Sequence, residues 1–291
     1  MKKLLIASTA LVATAGMASA DITISGSANA GIHSGLHDAG TTTAQADGVY
    51  SNAGVAFALS GATDNGISFS ASVDVMAGNK IDQGDFEYDG ADDGAMDLGA
   101  VAMSGTFGTL TFDNGGIENL YSDGLYNADV SYATTVGAVA LTVAHDTTAG
   151  DGSAKESSMS ASAGYTASGM TFTLTGAQTV AGTSTKLAVA YALNDTVSLT
   201  GKTDQAAGAE SVQTIGAKTT LNGISVSVES ANNSTWDVDL GYTAGGFALT
   251  YGTDETDGWT AGASASLGGG ATFAAGVDSN DSTYAGVSFA F

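Results

Sequence analysis

The 291-residue chain contains no cysteine, no proline and no arginine. Without cysteine there is no disulfide scaffold, no thiolate zinc site and no thiol chemistry. Basic residues are scarce: seven lysines stand against thirty Asp and Glu, for a formal charge of −23. Two of those lysines, Lys2 and Lys3, precede every carboxylate, so residues 21–291 carry five lysines against thirty acids, or −25. That balance excludes nucleic acid and anionic headgroups as partners held by a basic surface. Long helical stripes are missing, and past residue 20 no apolar run approaches the ~20 residues of a spanning helix. At this charge disorder is a competing reading, but 43% hydrophobic residues and regular patterning oppose it.

The first twenty residues differ from the rest. Met1-Lys2-Lys3 is a short positive start, Leu4 to Val12 is apolar, and Ala18-Ser19-Ala20 is a small-x-small cleavage site. This is the pattern of a secretory signal peptide over 1–20, with Asp21 as the expected mature N-terminus. The exported domain, 21–291, meets a membrane only as a barrel, because it offers no spanning helix.

Segments of about ten residues recur with apolar side chains at every second position, the period of a half-buried or membrane strand. Ile22, Ile24, Ala28, Ala30 and Ile32 share one face, while Thr23, Ser25, Ser27, Asn29 and His33 share the other. Ile67-Phe69-Ala71-Val73-Val75 alternates with Ser68, Ser70, Ser72 and Asp74, and Trp236-Val238-Leu240-Tyr242 alternates with Asp237, Asp239, Gly241 and Thr243. Short, nearly uncharged turns fall near 60–66, 104–108, 134–137, 166–169, 193–196, 221–223, 243–246 and 267–270. Longer polar links fall between them, near 36–47, 79–94, 114–127, 146–156, 180–184, 204–210, 230–235, 253–258 and 278–282. These connections predict an all-β, antiparallel transmembrane barrel of eighteen strands, or sixteen if a weak hairpin near 180–184 is miscounted. The absence of proline agrees, since proline is confined to sheet edges and a closed barrel has none. Phe57, Phe69, Tyr165, Phe172, Tyr191, Tyr242, Phe247, Phe273 and Phe289 lie near short turns, with Trp236 and Trp259 beside long links. Two rims of such rings form interfacial girdles. A soluble sandwich rarely needs so many strands, and a solenoid would show a fixed period that is absent.

Four patches carry a resemblance: Asp-Ile-Thr-Ile-Ser-Gly-Ser-Ala at 21–28, Ala-Met-Ser-Gly-Thr-Phe-Gly-Thr-Leu-Thr-Phe-Asp-Asn at 102–114, Leu-Gly-Gly-Gly-Ala-Thr-Phe-Ala-Ala-Gly-Val at 267–277, and Val-Ser-Phe-Ala-Phe at 287–291. Together they resemble Gram-negative general diffusion porins, particularly those of the alphaproteobacterial type. The resemblance implies a homotrimeric, water-filled channel for small hydrophilic solutes in the outer membrane, and usually sixteen strands rather than eighteen. Phe291 resembles the terminal signal read by the outer-membrane insertion machinery. A third loop would fold inward to constrict the pore, here about Asp113 to Asn127, with Asp113, Glu118 and Asp123 beside Tyr121 and Tyr126. The family sets such acids against arginines; this chain has none.

Alternation places Lys186, Lys202 and Lys218 on the polar face, as the only candidates to stand opposite the loop acids, with simple solvation of the lumen as the plainer role. It places Asp74, Asp237 and Asp239 there too. Carboxylate-lined pores favour cations, modestly, because charges are screened over ~8 Å at physiological ionic strength. The acidic run 82–97 spaces Asp85, Glu87, Asp89 and Asp93 somewhat like an EF-hand loop, but Met96 stands where the bidentate Glu belongs. Ca²⁺ or Mg²⁺ bridging to lipopolysaccharide phosphates is one expectation there; a solvated acidic loop is the other. No resident cofactor is expected. Three histidines (His33, His37, His145) build no catalytic constellation, so an enzyme is not expected. A substrate-specific channel is the alternative function, and a non-conducting surface barrel or adhesin ranks below it.

Overall fold

The computed structural model describes residues 20–41, 43–92, 96–122, 125, 127–147, 159–179 and 182–291. The expected leader, residues 1–20, lies outside this set except for Ala20.

In chain order the strands are β1 (Ala20–Ser34), β2 (His37–Asp38), β3 (Gly48–Ala62), β4 (Ser68–Asp82), β5 (Glu87–Asp92), β6 (Met96–Leu98), β7 (Val101–Gly105), β8 (Gly108–Ile117), β9 (Ala128–Val136), β10 (Val139–His145) and β11 (Met159–Ala167). There follow β12 (Met170–Thr179), β13 (Gly182–Ala192), β14 (Val197–Gln205), β15 (Val212–Leu221), β16 (Ile224–Ala231), β17 (Trp236–Ala244), β18 (Phe247–Asp254), β19 (Trp259–Gly268), β20 (Ala271–Asp278) and β21 (Thr283–Ala290). No helix occurs among the described residues.

Each long strand pairs antiparallel with its sequence neighbours, and β21 returns to β1, so the sheet closes. β2 stands outside the wall, and β5, β6 and β7 all pair with β4 as pieces of one wall strand. Eighteen wall positions result, which decides between the two strand counts. Closure explains how a chain with so much exposed strand avoids an open edge in lipid.

The seam depends on the final residue. Gly26 and Phe291 exchange both backbone hydrogen bonds, N–H to O distances being 2.6 and 2.9 Å. Gly26 has no side chain, so the Phe291 ring lies across it, where any Cβ would meet the ring.

Register assigns the faces. Ile215 is 72% exposed on the outer face, while its neighbours Thr214 and Gly216 turn inward. Ile22, Leu174, Phe247 and Leu249 belong to the same exposed outer band. The turns follow from local chemistry. Asn222 (φ 52°) and Gly223 (φ 81°) join Leu221 to Ile224 as a two-residue loop. Both residues need positive φ there, and Asn-Gly satisfies that at small cost.

One expected connection differs. The link near 79–94 is mostly strand: β4 continues to Asp82, and the chain turns back into β5 at Glu87. Acidic residues read as loop because they have little strand preference, but here Lys80 faces Asp89 at 3.9 Å across the hairpin.

Candidate functional site

The barrel's interior is the site. Inward positions of β13 and β14 present Lys186, Lys202 and Asp204, and the segment between β8 and β9 comes in to meet them. Leu120 N–H donates to Ser160 Oγ on β11 at 3.0 Å. Lys186 Nζ donates to the Tyr121 carbonyl at 2.7 Å and sits 4.8 Å from the centre of the Tyr121 ring. The Tyr121 hydroxyl donates to Asp204 Oδ1 in a short bond, and Asp204 also pairs with Lys186 at 3.5 Å. Tyr121 is left only 8% exposed. The third long loop is thus drawn into the lumen and fastened at the eighth, tenth and eleventh wall positions, having left the wall between the fifth and sixth. Burial first, then the adjacent Asp204 carboxylate, pushes the Tyr121 phenol up to about 12. It therefore remains a hydrogen-bond donor at any physiological pH.

The loop's base is fixed separately. Asp129 accepts from Gly115 N–H at 2.9 Å and from both the N–H and the hydroxyl of Thr147 at 2.7 Å. Farther round, Lys202 pairs with Glu229 at 3.4 Å. Glu229, Asp237 and Asp254 form one row across β16, β17 and β18. Asp237, Asp239, Asp254, Asp257 and Asp278 then line a recess of about 620 Å³ beside Trp259 at the long-loop end.

Among proteins of known sequence and structure, the profile of Gram-negative porins matches residues 7–289. The chain belongs to the Gram-negative porin family. Solved porins share the fold. Mutants of the Rhodopseudomonas blastica porin are 15–16% identical, superpose with TM-scores of 0.54–0.55, and match 93% of this chain and 100% of theirs. The OmpF porin of Salmonella typhi is 10% identical with a TM-score of 0.51, over 93% of this chain and 97% of its own. None of the curated proteins compared matches the sequence. Family and closed barrel together make this an outer-membrane diffusion channel of a Gram-negative bacterium.

Several sequence-derived site residues of this porin lie where alternation put them. Asp74, Lys186, Lys202, Lys218, Asp237 and Asp239 all hold inward positions by register. Asp113 is on β8, Glu118 is exposed past its end, and Asp123 and Tyr126 lie outside the described residues. Strand β8 runs to Ile117, but its pairing with β9 breaks after Phe112 and resumes only at Ile117, so Asp113 opens an irregular stretch at the root of the third long loop.

Within the acidic run, Asp85 occupies the β4–β5 turn and Glu87 Oε1 accepts from Gly40 N–H at 3.2 Å. Asp89 faces Lys80, and Asp93 lies outside the described residues. Among the described residues no group of three His, Asp or Glu side chains converges in metal-holding geometry. The residues that sequence reasoning missed are Asp204, Glu229 and Ser160. Asp204 alternates in phase with Lys202, a signal that it faces inward, but nothing in one chain reveals which loop residue arrives opposite.

Proposed function

We propose that this porin passes small hydrophilic solutes without close chemical discrimination and prefers cations weakly. The supporting observation is the state of the lumenal lysines. Lys186 is held between Asp204 and the Tyr121 carbonyl, and Lys202 is paired with Glu229. Asp74, Asp237, Asp239 and Asp254 then outweigh Lys218, so the field along the wall is negative. Two of the three candidate lysines serve to secure the loop or balance a wall carboxylate, in place of an arginine cluster opposing acids.

Residues 1–20 are the export signal in this reading, and Phe291 marks the chain for the outer-membrane insertion machinery. A homotrimer fits the outer face at the seam, where Ala28, Ala30, Ala261, Ala263, Ala275 and Ala285 allow barrel walls to approach closely. Lipid and lipopolysaccharide are the remaining partners.

Swelling of proteoliposomes in sugars of graded size tests the channel. Entry rates falling smoothly with solute size support it. A lack of uptake for every sugar rejects the open channel, and one sugar far exceeding its size class favours the substrate-specific alternative.

A further inference from the structure

A second segment turns into the barrel, on the wall opposite Tyr121. The hairpin between β4 and β5 bends over the long-loop rim and inserts Phe86, which is 6% exposed. Its ring lies 5.4 Å from that of Tyr284 on β21. Tyr284 pairs with His33, and Tyr50 pairs with Gly31, both pairs facing the lumen by register. Tyr50 is 1% exposed, His33 is 7% exposed with its ring centre 5.4 Å from that of Tyr88, and Leu36 from the first long loop is fully buried. The parallel bridge between β2 and β5 ties the first loop to this hairpin. The result is a small, mainly aromatic core on the inner surface of an otherwise polar pore.

Phe86 has φ of 57°. That region disfavours bulky residues, and hairpin tips there ordinarily carry Gly or Asn. An aromatic side chain at such a position is explained by what the ring touches, not by the turn. This core covers the eighteenth, first and second wall positions, whereas the Tyr121 latch occupies the eighth, tenth and eleventh, close to half the circumference away.

We propose that the β4–β5 hairpin tip, seated by Phe86 against Tyr284, is a second constriction that narrows the outer mouth opposite the third loop and sets the size limit jointly with it. The inference rests on the diffusion-channel reading. The upper size limit is then set by the gap between two inward segments, so either one alone can enlarge it.

Planar-bilayer conductance and sugar exclusion of Phe86→Gly test this directly. Glycine suits the positive φ, so the turn keeps its backbone while the ring is lost. Tyr284→Ala removes the other ring and leaves the hairpin sequence untouched. Both variants are expected to raise single-channel conductance by roughly half and to admit larger sugars. Wild-type conductance and exclusion in folded Phe86→Gly or folded Tyr284→Ala would overturn the proposal. A wild-type protein that never conducts would instead reject the channel reading itself.

Discussion

At the scale of single residues, the pore is held in shape by a few charge-assisted contacts. Tyr121, Lys186 and Asp204 satisfy one another, and each removal leaves a different orphan. Tyr121→Phe deletes the bond to Asp204 while keeping the ring under Lys186, a loss of roughly 1.5–3 kcal/mol of loop anchoring. The expected outcome is a noisier open-channel current from a loosened loop, read in single-channel recordings; a record as quiet as wild type would count against the latch. Lys186→Met removes the cation and exposes Asp204, so it should raise cation preference and loosen the loop together. The tyrosine also carries a pH dependence. Its folded value, pushed up to about 12, exceeds the ordinary value near 10, so the latch is complete below pH 10 and is lost as pH rises through 12. Open-channel noise should therefore stay constant up to pH 10 and increase above it.

At the scale of elements, the seam between β1 and β21 is the most exacting junction. Gly26→Val places a branched side chain where the Phe291 ring lies. The ring must leave, and the reciprocal backbone bonds at the end of β21 weaken with it. The yield of heat-modifiable, folded barrel should fall severalfold, whereas Gly164→Val on β11, where a Cβ meets nothing within 4 Å, should leave the yield near wild type.

The strands were legible in the sequence for a specific physical reason: lipid outside and water inside impose strict alternation, and Asn222-Gly223 or Ser168-Gly169 announce a tight turn. The β4–β5 hairpin was not, because Asp82, Asp85, Glu87 and Asp89 lie near its tip beyond the lipid, where alternation is no longer enforced. Lumenal placement of Lys186 and Lys202 could be read from their neighbours. Their pairing with Asp204 and Glu229 could not, because the offset between strands and the path of an inward loop are tertiary facts.

At the scale of the whole molecule, closure with eighteen strands converts an acidic, glycine-rich chain into a channel with a negative wall. The charge that excludes nucleic acid at the sequence level is spread over the long-loop end and the pore lining, including the row Glu229, Asp237 and Asp254. Asp237→Asn combined with Asp239→Asn should reduce cation preference without closing the channel, since neither residue takes part in the latch.

The most direct measurement is the reversal potential of the purified protein in a planar bilayer under a tenfold KCl gradient. Stepwise conductance with a reversal potential displaced modestly toward the potassium equilibrium value is the expected result. An absence of conductance steps, or displacement toward the chloride equilibrium value, would contradict a weakly cation-selective diffusion channel.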